Sequence, residues 1–336
     1  MLQAIGIGDL HLDGKLSKHI SNLNEVILDE VGVCHAYARR HGVQNIFYYG
    51  DICDVPTLSN DAMVRLLDMF AATSDLRHFL ITGNHDVESV EKHSLQVLKK
   101  LVTIGKLDNV RIIDEPTVFF KKQGTPVNFL PWPHFSVQPG HLNVLHVETN
   151  GSKWEIGKPI VSERETEFPC VAGHLHTNQT VGPQKNIHYS GTLYQTNFGE
   201  KKEKFFHHLK WDGVNLRVKS VPHVAKYELL NLIVNTREDL ERIESSPFKL
   251  YKVFVKSGAD LDASTFNDRS NVIKINSFSN KEELNNLIAE ELILSDANTM
   301  VNQLTVHEAL ETYLLRSAKV EDASVVERAK EIAAEM

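Results

Sequence analysis

The chain has 336 residues, 42% of them hydrophobic and 24% charged, and carries a net charge of -8 at pH 7. A full core can be buried, in one large domain with appendages or in two to three units. The negative balance excludes a protein that grips DNA by bulk positive potential, because nonspecific affinity comes from Lys and Arg neutralising phosphates.

No apolar run approaches the ~20 residues of a membrane span. The start "MLQAIGIGDLHL" lacks a basic stretch followed by a cleavable apolar one. The expectation is a cytoplasmic protein with no membrane attachment. Cys34, Cys53 and Cys170 are odd in number and share no C-x-x-C spacing. They are expected to be buried and inert, which argues against a disulfide framework or a structural zinc site.

In chain order, "AIGIGD" reads as a strand ending at Asp9. Ile20, Leu23, Ile27, Val31, Cys34 and Ala38 then recur at three- and four-residue spacing, which predicts an amphipathic helix. "NIFYYGD" is the next strand and ends at Asp51, and a helical pattern over 61–72 leads into the strand "HFLIT". This β-α-β-α-β order implies a parallel sheet with right-handed crossovers. Sites in such sheets form just beyond the carboxyl ends of the strands.

A helical stretch near 89–105 precedes shorter strand candidates, "VNFLPW", "NVLHV", "PCVAG" and "IHYSG". "KFFHHLKW" and "VNLRVKSV" flank Asp212-Gly213, a two-residue hairpin signal. From about residue 216 the pattern changes. "YELLNLIV", a helix from Arg237 to Ser245, "LYKVFVKS", "NVIKINS" and a helix from Asn280 to Leu294 predict a small α+β unit. Residues 305–336 read as two amphipathic helices. Thr305 and Glu308 form a capping box, followed by an apolar face of Val306, Ala309, Leu310, Tyr313 and Leu314.

Five polar motifs fall at or within the ends of the strands: Asp9-x-His11, Gly50-Asp51, Gly83-Asn84-His85-Asp86, His146, and Gly173-His174-Leu175-His176. Each alone is weak, because such pairs are usually turns or helix N-caps and a lone strand histidine is usually a satisfied core residue. Together, in this order, they are aligned by the parallel strands. Hard oxygen donors mixed with imidazoles suit Mn²⁺ or Fe²⁺, and the lack of cysteine argues against a thiolate site. Glycines beside these residues let the backbone turn sharply and leave room for ions and phosphate.

The set resembles the calcineurin-like metallophosphoesterases over about residues 5–195. The resemblance implies two divalent metal ions, with Mn²⁺ expected. Asp9, His11, Asp51 and His176 would hold one, and Asp51, Asn84, His146 and His174 the other, with Asp51 bridging. His146 lacks the glycine that usually follows it, which leaves His134 and His141 as alternative ligands. His85 would act on the leaving oxygen and hold no metal. Asp86 reads equally as a group orienting an imidazole or as a turn or N-cap residue before "VESVEK".

Protein phosphatases of this superfamily carry an arginine in the segment that here reads "GDICDVP", which has none. "YSGTLYQTNFGEKKEKFFHHLKWDG" is similar to the G-S-x-x-x-x-x-F-G-E segment of the SbcD nucleases. The layout with "NQLTVHEALETYLL" near the end looks most like bacteriophage recombination endonuclease subunits. The implied fold is an α/β metallophosphoesterase β-sandwich flanked by helices, over residues 1–215. A small α+β capping domain (216–298) and a C-terminal helical segment (299–336) that binds an SbcC-type ATPase complete the layout. The implied function is metal-dependent DNA cleavage, exonucleolytic or endonucleolytic, in recombination and repair. The competing functions are a small-molecule phosphodiesterase or phosphatase on the same metal site and a scaffold on a decayed fold, which would be missing ligands. None is missing.

Val90, Leu95, Leu98, Leu101 and Val102 share one side of the helix expected near 89–105. That side could form a homodimer bundle, as the family implies, or pack in the core. "KKEK" at 201–204 could touch DNA phosphates or be a solvated face.

Overall fold

Alternation of side chains along β1 (Leu2–Ile7) sets the first layer. Ile5 and Ile7 point to one core cluster, whereas Ala4 points to another. In this computed structural model, which describes residues 1–89, 92–154, 157–259, 261, 263–266, 269–284 and 287, the same alternation recurs in β2 (Asn45–Tyr48). Ile46 and Tyr48 face the first cluster, and Phe47 faces the second. Helices α1 (Leu23–Arg40) and α2 (Asn60–Ala72) cover the first face. Leu23, Ile27, Val31, Cys34 and Ala38 of α1 are all buried there, as their spacing predicts. The Ser59 hydroxyl caps α2 by accepting the Ala62 amide.

The chain continues through β3 (Arg77–Ile81), a small hairpin of β4 (Val87–Ser89) and β5 (Lys92–His93), α3 (Gln96–Thr103) and β6 (Val110–Ile113). Strands β7 (Thr117–Phe119), β8 (Val127–Leu130), β9 (Leu142–His146), β10 (Cys170–Gly173), β11 (Gln179–Val181) and β12 (Ile187–Tyr189) follow. Next come β13 (Lys204–Trp211), β14 (Leu216–His223), β15 (Glu228–Val234), β16 (Lys249–Lys256) and β17 (Val272–Phe278). Two six-stranded sheets result, ordered β14-β13-β1-β2-β3-β6 and β11-β12-β10-β9-β8-β7. Phe47, Phe79, Phe129, Val144, Val171 and Trp211 fill the space between them. The fold is an α/β sandwich of two mixed sheets with helices on the outer face of the first.

β1, β2, β3 and β6 run parallel, with β13 antiparallel to β1. In the second sheet β8, β9, β10 and β12 are parallel. The carboxyl ends of β1, β2 and β3 therefore open on one side, and those of β9 and β10 end in register, with Gly173 opposite His146.

Several local expectations are revised. The helix expected near 89–105 begins only at Gln96, because Val87–Ser89 and Lys92–His93 pair as a hairpin. Leu95 and Leu98 are wholly buried in the chain's own core, and Leu101 and Val102 pack partly against it. Val90 lies outside the described residues. The β13–β14 connection is a four-residue turn, in which Asp212 accepts the amides of Val214 and Asn215. Residues 216–223, expected in the second domain, are the edge strand of the first sheet.

The small parallel sheet β15-β16-β17 starts at Glu228 and has its own apolar cluster of Leu232, Val234, Tyr251 and Val253. The helix expected over 237–245 is a 3₁₀ turn over Arg237–Arg242. Met1–Leu287 forms one compact unit. The expected helical segment of 299–336 lies outside the described residues. Among the described residues no helix is long and apolar enough to cross a membrane.

Candidate metal centre

Each polar motif sits in the loop that leaves a strand's carboxyl end. Asp9 and His11 follow β1, Asp51 follows β2, and Asn84 and His85 follow β3. His146 closes β9, and His174 and His176 follow β10. The loops are stitched to one another: the amides of Leu10 and His11 both donate to the Asp51 carbonyl, at 2.9 and 3.0 Å. His11 (φ 51°), Asp51 (φ 46°) and His174 (φ 83°) all have left-handed backbone. L side chains rarely adopt that conformation, and it clusters at functional sites. At Gly83 a Cβ would lie 2.1 Å from Asp51 Oδ1, and at Gly50 it would lie 2.3 Å from His146 Nδ1. Those two positions exclude any side chain.

The ligand-type atoms gather in two adjoining groups, Asp9/His11/His176 and Asp51/His146/His174. In the first, His11 Nε2 and His176 Nε2 are 3.0 Å apart. In the second, Asn84 Oδ1 lies 3.0 Å from His146 Nε2 and 2.9 Å from His174 Nδ1. Asp51 Oδ2 stands between the groups, 3.9 Å from His11 Nε2 and 3.2 Å from His146 Nε2. All seven residues expected as ligands are thus brought together. His134 is exposed, and His141 donates to the Pro139 carbonyl at 2.9 Å. Neither alternative joins the cluster.

The donor set fits divalent cations. Asp9 Oδ2 is buried with no hydrogen-bond partner, although Asp9 Oδ1 accepts the His174 amide at 2.7 Å. A buried carboxylate oxygen without a donor calls for a cation. His146 donates from Nδ1 to the Tyr49 carbonyl at 2.6 Å, which turns Nε2 towards Asp51 and Asn84. Burial opposes charge on Asp51, but His146, His85 and His11 outweigh it and hold its carboxyl well below the usual range. Burial likewise opposes charge on His146, and Asp51 and Asp9 push its pKa up to about 9. The pocket's carboxylates thus favour positive charge, and a bound cation would compete with a proton on His146.

His85 stands beside the first group, its ring centroid 5.0 Å from that of His11. Its amide donates to Asp51 Oδ1 at 2.9 Å, and its Nδ1 is 3.4 Å from Asp54 Oδ1 and 3.3 Å from the Asp54 carbonyl. His85 is absent from both ligand groups and joins a third with His11 and Asp54.

Asp86 lies in the turn 84–86 directly before β4, as one of the two readings has it. Among the described residues its side-chain hydrogen bonds go to backbone amides and a hydroxyl, with none to an imidazole. Its carboxylate accepts the backbone amides of Gly83 (2.8 Å), Cys53 (2.9 Å) and Ile52 (3.2 Å), and the Ser94 hydroxyl at 3.0 Å. It therefore binds the loop carrying Asp51 to the loop carrying Asn84. Burial first, and then the Asp51 charge, raise its pKa.

Three carboxylates escaped sequence reasoning. Asp54 accepts from His11 Nδ1 at 2.9 Å, Glu200 accepts from His176 Nδ1 at 2.9 Å, and Glu148 Oε2 stands 3.5 Å from His174 Nε2. The available signals were the repeated acid in "GDICD" and the single acid closing "NFGE". Lys204, read as part of a charge run, is buried and paired with Glu200, whereas Lys201, Lys202 and Glu203 are exposed.

No protein-family profile matches the chain. It is similar to "Putative phosphoesterase 244L" of Invertebrate iridescent virus 6, at 25% identity over 185 residues, covering 45% of this chain and 55% of that protein. The chain thus spans little more than half the length of that relative. It also aligns with a structure described as a novel archaeal phosphodiesterase, at 12% identity and a TM-score of 0.33, covering 66% of this chain and 100% of that one.

Proposed function

We propose that this chain is a di-metal phosphodiesterase that cleaves DNA together with an SbcC-type ATPase. The observation that carries the reading is the convergence of Asp9, His11 and His176 beside Asp51, His146 and His174, with Asn84 closing the second group. Asp9, His11, Asp51 and His176 would hold one divalent ion, and Asp51, Asn84, His146 and His174 the other. When bound, two such ions supply Lewis acidity to a phosphoryl oxygen and make water nucleophilic at neutral pH.

The remaining chemistry belongs to side chains. His85 turns its Nδ1–H towards the acceptors of Asp54, so as the doubly protonated imidazolium it can give its Nε2 proton to the departing oxygen and return to the neutral Nδ1–H ring. The Asp54 carboxylate would balance that imidazolium charge while also holding His11. Asn84 contributes a neutral oxygen, which limits the negative charge facing a phosphodiester.

DNA as the substrate rests on the resemblance of the "GTLYQTNFGE" segment to the SbcD nucleases and on the absence of an arginine from "GDICDVP". In the same reading the segment 299–336 docks on the ATPase, and α3, whose Val97 is exposed together with Ile104 just beyond its end, contributes to a homodimer. The test is to supply the purified chain with Mn²⁺ and offer it bis-p-nitrophenyl phosphate or end-labelled duplex DNA, with and without the ATPase. Cleavage of both, stopped by a chelator and stimulated by ATP on the duplex, is expected. Cleavage of the small diester alone overturns the nuclease reading in favour of a small-molecule phosphodiesterase. Chelator-resistant cleavage overturns the metal centre.

A further inference from the structure

Glu200 lies outside both ligand groups, yet its side chain is 1% exposed and both its oxygens are hydrogen-bonded. Oε1 takes the His176 Nδ1 hydrogen at 2.9 Å, the Asn197 amide group at 3.0 Å and the Thr196 hydroxyl. Oε2 takes Thr192 Oγ1 at 3.2 Å and the ammonium of Lys204, itself 3% exposed. A carboxylate ion-paired with an ammonium accepts on its other oxygen, so His176 is the donor and its proton sits on Nδ1. Nε2 is then the nitrogen that faces His11 Nε2.

The backbone beneath Glu200 is held just as firmly. Gln195 Nε2 donates to the Glu200 carbonyl at 2.9 Å and to the Leu229 carbonyl at 3.2 Å, while its Oε1 accepts the Leu229 amide at 3.0 Å. The loop between β12 and β13 is thereby fastened to the first strand of the small sheet. His11 is fixed in the same manner by Asp54. Both histidines of the first group thus have a carboxylate behind them, a pairing that sets ring orientation and raises the basicity of the nitrogen facing the ion.

We propose that Glu200 is the positioning residue of the first ion site: it sets the tautomer and aim of His176, and the buried Lys204 ammonium holds its other oxygen. This rests on the di-metal reading. A purely structural role, as half of a buried ion pair, would move stability without touching the imidazole.

The test uses Glu200→Gln in the full chain, with Glu203→Gln, an exposed neighbour, as the control. In wild type without metal, ¹⁵N NMR of the imidazoles should show His176 as the Nδ1–H tautomer. In Glu200→Gln the ring should become a tautomer mixture, and Mn²⁺ affinity at one of two sites should fall roughly 10- to 100-fold, the usual range for a lost ligand-orienting partner. The second site and the Glu203→Gln protein should be unchanged. An Nε2–H tautomer in wild type overturns the proposal, and needs no variant to be seen. So does a Glu200→Gln protein that keeps both tautomer and affinity. Wild type that binds no divalent ion overturns the di-metal reading separately.

Discussion

His11 and His176 face each other through Nε2 atoms 3.0 Å apart, while the Nδ1 of each is held by a carboxylate, Asp54 and Glu200. Two nitrogen lone pairs at that separation repel unless positive charge lies between or beside them. The centre should therefore be stabilised by ligands that supply charge. Mn²⁺ at 100 times its dissociation constant is expected to add about 2.7 kcal/mol to unfolding free energy by linkage. Chelation should reverse the gain, and denaturant titration with and without Mn²⁺ is the measurement. Identical midpoints would mean that the cluster binds no ion.

Asp51 stands between the two groups, so Asp51→Asn should weaken both ions at once while the fold persists. The Asn amide keeps one oxygen for the His85 amide, which Asp51 Oδ1 now accepts at 2.9 Å. Metal content measured on the purified variant should drop from two ions towards none, and phosphodiester cleavage should fall with it by more than about 10²-fold. Retention of one tightly bound ion would show that the carboxylate serves a single site.

At His85 binding and turnover should separate. His85→Gln is expected to keep both ions and lose roughly 10²- to 10⁴-fold in turnover, the range for a lost general acid. Asp54→Asn should behave differently, because Asp54 serves His11 as well as His85. Its loss should reduce metal affinity and turnover together. Combined with His85→Gln it should cost less than the two single losses multiplied, since both act through one ring. Strict multiplicativity would place Asp54 outside the His85 pathway.

The residues that sequence reasoning could place and those it could not differ in a physical way. Asp9, Asp51 and Asn84 are each tied to an apolar run, and parallel pairing of β1, β2 and β3 carries their positions into space without further information. Asp54, Glu200 and Asp86 owe their roles to loops meeting across the chain. Asp54 meets His11 across 43 positions, and Asp86 meets Cys53 across 33. No local period encodes those meetings. The β4–β5 hairpin was hidden for another reason, since its few residues carry too little alternation to outweigh the helical spacing of Leu95, Leu98 and Val102.

Asp86 should matter to stability more than to catalysis. Asp86→Ala leaves the buried amides of Gly83, Cys53 and Ile52 without their acceptor. An unsatisfied buried donor costs about 1–3 kcal/mol, so the loss should be at least about 3 kcal/mol by denaturant unfolding. If the folded fraction still binds both ions normally, the clamp is a matter of folding. A loss under about 1 kcal/mol would mean that water or a shifted loop satisfies those amides.

Away from the metal centre, a buried chain of neutral groups predicts how the protein responds to acid. His35 Nε2 meets Tyr48 Oη at 3.0 Å, Tyr48 Oη meets His78 Nδ1 at 3.2 Å, and His78 Nε2 meets Thr73 Oγ1 at 2.9 Å. Burial first, and then mutual repulsion, lower His35 to about 3. Burial lowers His78 to about 4, although Thr73 and Asp75 oppose it. Both groups have folded pKa values below the unfolded value of about 6.5. Above pH 6.5 neither state binds the proton and the stability is fully present. As pH falls below 6.5 the unfolded chain takes up protons that the folded one refuses, so stability is lost until the folded values near 4 and 3 are reached. For His78 alone, the loss between pH 7.5 and 5 should be about 2 kcal/mol. His78→Gln keeps a donor and an acceptor between Tyr48 and Thr73 but cannot titrate. Whatever the two pH values do to the rest of the molecule, the difference in unfolding free energy between them should be smaller in His78→Gln than in wild type by about that amount. An equal pH dependence in the two proteins would mean that His78 carries its proton when folded, and that this buried chain is not neutral.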